Sequence, residues 1–150
     1  MHKLSKIAAL VAFARADTTN TYQEINFGTF PNFQAQEING KTGIKINGAI
    51  KHLTSSGIIH TIKRHGNESE ESKRGQKGII DSDFELIPLI LSDPDAVSKG
   101  IITSRGDQSI VFVKKINFVE YYVAMAVKKS NGGVNLYFTT MYAKKTKKPV

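Results

Sequence analysis

The chain is 150 residues long, 40% hydrophobic and 23% charged, with a formal net charge of +8 and no cysteine. That size and balance suit one soluble globular domain with a real core, and the lack of cysteine excludes disulfides, cysteine-ligated zinc and thiol nucleophiles. Residues 1–107 carry 13 Lys/Arg against 12 Asp/Glu, whereas residues 108–150 carry eight lysines against Glu120 alone, an asymmetry that favours an anionic partner, nucleic acid first.

Residues 1–16 repeat apolar side chains at helical spacing (Leu4, Ile7, Ala8, Val11, Ala14) with Lys3, Lys6 and Arg15 elsewhere, which predicts an amphipathic helix. The basic start and the triplet Ala14-Arg15-Ala16 also sketch a secretion signal. Its apolar run is short and an arginine occupies the cleavage position, so the helix is favoured; neither reading spans a bilayer. Residues 18–40 are polar, with Phe27, Phe30 and Phe33 as anchors. They read as irregular chain with one short strand near residues 23–27. Another short strand is expected over 42–47 and the start of a helix over 49–53. Ser55 or Ser56 then offers an N-cap for a helix over 57–65, closed by Gly66. Residues 67–78, NESEESKRGQKG, hold no apolar side chain and read as a charged loop. Asp81-Ser82-Asp83 caps a helix to about residue 91 that Ile87-Pro88 ends or kinks.

After Lys99 the pattern turns to strands over 100–104, 109–116, 118–129 and 134–143, joined by Arg105-Gly106-Asp107-Gln108 and Ser130-Asn131-Gly132-Gly133. The expected fold is α+β, with N-terminal helices packed on a C-terminal four-stranded antiparallel β-sheet. Residues 1–41 form a helix and irregular extension, residues 42–150 the functional domain, and the whole one compact unit. Period two puts Val119, Tyr121, Val123, Met125 and Val127 on a core face. The other face holds Glu120, Tyr122, Ala124, Ala126 and Lys128, with space above the alanines. In the last strand the same rule groups Leu136, Phe138, Thr140 and Tyr142 against Asn135, Tyr137, Thr139 and Met141.

The densest chemistry is in residues 58–66, IIHTIKRHG. Ile58, Ile62 and His65 share an inward stripe, and His65 sits at the helix C-terminus, where the macrodipole favours imidazolium. It is a candidate general acid or phosphate contact, weighed against a structural histidine bonding the last carbonyls. His60 and Arg64 are i, i+4 neighbours on a more polar side, and His52 is expected to face solvent. Two histidines five apart do not share a face as metal ligands would, and the nearest acids lie in the charged loop, so no metal and no cofactor is expected. No glycine-rich phosphate loop or nucleophile elbow is present. RNA cleavage by its own 2′-OH fits what remains, because it needs proton transfer and cations but no metal. His60 or His65 would move protons, Arg64, Lys63 or a strand lysine would stabilise charge, and Thr140 and Tyr142 would bond phosphate oxygens. Lys63, Lys114, Lys128 and Tyr122 are the candidate substrate contacts.

The helical His60…Arg64-His65-Gly66 element, Asp83-Phe84…Ile87-Pro88, three final strands and Thr140-Met141-Tyr142 together resemble the barnase–EndoU–colicin–RelE superfamily of nucleases, particularly its phage-associated and polymorphic-toxin branches. The resemblance runs over about residues 42–145. It implies helices on a four-stranded antiparallel sheet and metal-independent RNase activity, often as a toxin, with His65, Arg64, Thr140 and Tyr142 as the leading site residues and His60 next. The glutamate base of barnase-like members has no secure match; Glu120 is a candidate as the lone acid of the strands. The expected protein is a ribonuclease effector acting in the cytoplasm on tRNA or other structured RNA. It would be delivered within a larger phage or toxin protein, opposed by a cognate immunity or antitoxin protein, and need no membrane. A non-catalytic nucleic-acid-binding module and a protein-interaction domain are the alternatives. The nuclease reading predicts that His65, Arg64 and Thr140 converge in one cleft.

Overall fold

The computed structural model describes residues 5–16 and 21–146. Leu4 of the predicted helix stripe, residues 17–20, and Lys147 and Lys148 of the basic tail lie outside them. In chain order the elements are α1 (Lys6–Ala16), β1 (Glu24–Thr29), α2 (Asn32–Thr42), β2 (Ile50–Thr54), α3 (Ser55–His65), α4 (Glu68–Lys73), β3 (Gln76–Lys77), a 3₁₀ turn (Asp81–Leu86), α5 (Ile87–Ser92), β4 (Ala96–Ile102), β5 (Gln108–Ile116), β6 (Val119–Ser130) and β7 (Gly133–Lys145).

Strands β4 to β7 form an antiparallel meander, centred on β5 and β6, whose apolar residues recur with period two. β6 buries Tyr121, Val123, Met125 and Val127, and β5 buries Ile110 and Phe112. On this face pack Leu10 and Val11 of α1, Ile38 of α2, Ile58 of α3, Phe84, and Ile87, Ile90 and Leu91 of α5. Phe84 meets Phe138 edge-on at 6.2 Å between ring centroids. Each such buried side chain contributes on the order of 2 kcal/mol. The class is mixed α+β.

The sheet does not stop at four strands. Its order is β1-β2-β7-β6-β5-β4, with β3 also on β7, and β2 runs parallel to β7. β7 is long, and an open edge of that length needs covering. β2 pairs with Asn135, Leu136 and Tyr137, and β3 with Ala143 and Lys144.

Four local expectations are corrected. Residues 49–53 are strand rather than helix, since Lys51 and Leu53 alternate with the half-buried His52. The buried Lys51 ammonium lies over Phe27 and Phe30, at 5.3 and 4.6 Å. Residues 32–42 form α2 rather than irregular chain and the start of a strand, and Gly43 ends it in the left-handed region at φ 74°. The charged loop folds into α4 and β3, with the Asn67 side chain capping α4 through the Glu70 amide. The helix over 81–91 does divide at Ile87-Pro88 as expected, and Pro88 stands in the first turn of α5, where it costs no hydrogen bond. Phe118 is also not a strand residue: with Asn117 it takes positive φ (64° and 50°), forming the tight β5–β6 turn.

Candidate active site

The site begins with how α3 is fastened to β7. Thr54 caps the helix by accepting the Gly57 amide at 3.0 Å, and its hydroxyl donates to the Phe138 carbonyl at 2.8 Å. One turn on, Thr61 Oγ1 accepts the Met141 amide at 3.1 Å. The helix thus covers the stretch of β7 edge that β2 and β3 leave open. Gly57 makes the contact possible, because a Cβ there would sit 2.4 Å from the Phe138 carbonyl oxygen.

Facing this seam, β7 carries a bulge. Thr140 pairs with Ala124 and Phe138 with Met125, so Thr139 is an extra residue. It resets the alternation: Leu136, Phe138, Met141 and Ala143 are buried, while Tyr137, Thr139, Thr140 and Tyr142 are half-buried. The period-two grouping of Thr140 with Phe138 and Leu136 is corrected accordingly. Bulges of this kind re-aim side chains beside functional clefts.

Helix α3 and the bulge form two walls of a cleft of about 810 Å³. His60 and Arg64 line it from α3, Thr139 and Thr140 from β7, and Ala126 and Lys128 from β6. The β4–β5 turn adds Arg105 and Asp107, β1 adds Glu24 and the chain just before it adds Tyr22. Burial, then the charges of Arg64 and His65, hold the His60 imidazolium below the ordinary histidine pKa. His60 is therefore disposed to be neutral and to accept a proton. Arg64 and Arg105 form no salt bridge among the described residues, whereas Lys128 lies 3.7 Å from Asp107. Thr140 Oγ1 is buried without a hydrogen-bond partner among the described residues, a costly arrangement in a purely structural side chain.

Sequence reasoning missed the wall supplied by β1. Glu24 Oε2 lies 2.9 Å from His52 Nδ1, at ion-pair distance but off the hydrogen-bonding direction. His52 Nε2 is 2.8 Å from Asn135 Oδ1 and its ring stacks on Tyr137 at 4.6 Å. His52 therefore does not face solvent; it supports the Tyr137 lining. Burial first, then Glu24, pushes the Tyr22 phenol up to about 12. The Glu24-Ile25-Asn26-Phe27 alternation marks the strand, but nothing local says where its acid points.

The predicted residues are divided. His60, Arg64, Thr140 and Lys128 meet in the cleft. His65 does not line it: its Nδ1 is 3.0 Å from Oε1 of the fully buried Glu71, and its ring leans on Tyr142 at 5.7 Å. Tyr142 stacks on Tyr122 farther along the sheet. Lys114 is turned to Asp93 and Asp95 at 3.2 and 3.8 Å, and Lys63 is exposed outside the cleft. Glu120 accepts a hydrogen bond from the Tyr122 hydroxyl and is absent from the lining. Among the described residues, no three His, Asp or Glu side chains gather to hold a metal ion, and no helix is long and apolar enough to cross a membrane.

No curated protein and no solved structure matches the chain. One family model does, over residues 31–149: that of the phage-Barnase-EndoU-ColicinE5/D-RelE like nuclease 3. This range takes in α3, the meander and the bulge, and leaves Tyr22 and Glu24 outside. The chain belongs to this family of nucleases, a phage-associated branch of the barnase–EndoU–colicin–RelE superfamily.

Proposed function

We propose that the protein is a metal-independent endoribonuclease that cleaves RNA by attack of a ribose 2′-OH on the adjacent phosphate. The observation that carries this reading is the meeting of His60, Arg64 and Thr140 in one cleft. Neutral His60 takes the 2′-OH proton as the oxygen attacks phosphorus, forming the P–O2′ bond. The P–O5′ bond breaks, and the leaving oxygen takes a proton from the Lys128 ammonium. Arg64 and Arg105, which both line the cleft, stabilise the negative charge on the pentacovalent phosphorus group, and Thr140 donates to a phosphate oxygen. The products are a 2′,3′-cyclic phosphate and a 5′-hydroxyl.

His65 and Tyr142 take no direct part in this scheme. His65 fixes the end of α3 through Glu71. Total RNA incubated with the protein in EDTA tests the proposal, with product ends identified by mass spectrometry. Cyclic phosphate ends formed by the wild type, and strongly reduced in Arg64→Ala, are expected. Intact RNA, or 3′-hydroxyl ends that appear only with added divalent metal, would overturn it.

A further inference from the structure

The Lys128 ammonium is poorly suited to proton transfer unless something holds it. Its side chain is half exposed, and a four-carbon arm samples many rotamers, whereas the transfer needs a fixed approach to the leaving oxygen. Two residues of the cleft lining hold it, one from each side of β6.

Asp107 is the first. The β5–β6 pairing sets Ser109 opposite Ala126. Two residues farther along that register, Asp107 stands across from Lys128 on the same sheet face. Its carboxylate lies 3.7 Å from Lys128 Nζ, beyond hydrogen-bonding distance. The pull is therefore electrostatic, and the ammonium protons stay available to a substrate. The carboxylate is itself fixed by its turn. Asp107 donates its amide to Thr103 Oγ1 at 3.1 Å and accepts the Thr103 amide at 2.7 Å, and Gly106 completes the turn at φ 87°.

Tyr137 is the second. It pairs with Ala126 from β7, and its ring centroid is 5.8 Å from Lys128 Nζ, within cation–π range. The His52 ring stacks on Tyr137 at 4.6 Å, and His52 Nε2 is tied to Asn135, so the ring is braced in turn. Thr140 pairs with Ala124. Only the methyls of Ala124 and Ala126 stand on this face of β6 between Lys128 and a phosphate bound at Thr140.

We propose that Asp107 and Tyr137 are positioning residues that hold the Lys128 ammonium as proton donor to the leaving 5′-oxygen, a role that rests on the ribonuclease reading above. Each hold is weak alone, because water screens an ion pair this exposed; together they confine the head group between two strands. As the P–O5′ bond breaks, O5′ takes one proton from Nζ. Lys128 is left as a neutral amine, and solvent returns the proton after the product departs.

The test compares two versions of one oligoribonucleotide, the natural strand and the same strand with sulfur in place of the bridging 5′-oxygen. A thiolate leaves without a proton, so the sulfur strand needs the 2′-OH attack but no acid. Rates are read in single turnovers in EDTA with saturating protein, where differences in affinity cancel. Asp107→Asn and Tyr137→Leu should each slow the natural strand by roughly 10- to 100-fold and stay within a factor of about two of wild type on the sulfur strand. Tyr137→Phe keeps the ring face and should match wild type on both. In Lys128→Ala, already slow on the natural strand alone, adding Asp107→Asn should cost nothing more. The sulfur strand doubles as a control for folding, since a purely structural role would slow both strands alike. Equal slowing of both strands, or an Asp107→Asn variant as fast as wild type on the natural strand, would overturn the positioning role and leave the ribonuclease reading standing. Wild-type protein that cleaves neither strand would overturn that reading and this role with it.

Discussion

Thr61 accepts the backbone amide of Met141 across 3.1 Å, joining the middle of α3 to the strand residue just past the bulge. A helix side chain here does the work of a neighbouring strand. The bond sets the height of α3 along β7, and with it where His60 and Arg64 stand against Thr140.

Thr61→Val keeps the shape of the side chain but removes the acceptor from a fully buried position. The Met141 amide is then unsatisfied, and stability should fall by about 1–3 kcal/mol. Urea denaturation followed by circular dichroism measures this. An unchanged midpoint would mean that α3 is held by other contacts.

Gly57→Ala should be worse than its chemistry suggests, since the added methyl meets the Phe138 carbonyl oxygen and ring at 2.4 and 2.6 Å. The helix must move off the strand, at a cost of about 1–3 kcal/mol. Cleavage should fall along with the melting temperature. Ser56→Ala, beside it and exposed, should change stability little.

Thr140→Val should separate stability from activity. Its buried hydroxyl has no partner among the described residues, so replacing it with a methyl should leave stability unchanged or slightly raised. Cleavage should nevertheless drop by roughly 10²-fold if that hydroxyl donates to the phosphate. A large loss of stability would mark Thr140 as structural instead.

The acid limb of activity should report His60. The neutral imidazole is the active form, so activity falls as pH drops through its pKa. Burial, Arg64 and His65 lower that pKa beneath the ordinary value of 6.5, so the midpoint should lie below 6.5. An NMR titration of the His60 ring in Arg64→Ala should move upward, with burial still holding part of the shift. A wild-type midpoint above 6.5 would contradict the environment described.

The meander was legible because β5 and β6 alternate cleanly. The IIHTIKRHG helix was legible because its apolar spacing and its Gly66 end are local, although its cap is Thr54 rather than Ser55 or Ser56 and it begins at Ser55. What local pattern could not supply is the interruption of that pattern. A single extra residue, Thr139, reverses which side chains of β7 face inward, and period-two reasoning carries no term for it. β2 was misread because its inward position holds Lys51 rather than an apolar residue. α4 was invisible because the side chain it buries is Glu71, whose partner His65 is on another helix. The same pairing turns His65 away from the cleft, although the Ile58–Ile62 stripe correctly marked Ile58 as core. The helix end looked like the place for chemistry; the polar flank one turn earlier is where the cleft opens.

The most direct measurement is therefore a comparison of His60→Ala and His65→Ala on a defined oligoribonucleotide in EDTA, with the stability of each variant recorded. His60→Ala should lose about 10²–10⁴ in cleavage rate while keeping its melting temperature. His65→Ala should lose about 1–3 kcal/mol of stability, because the buried Glu71 carboxylate keeps only Arg74 at 3.7 Å, and retain most of its rate below its melting temperature. Full activity in His60→Ala, with activity abolished in a folded His65→Ala, would contradict the account.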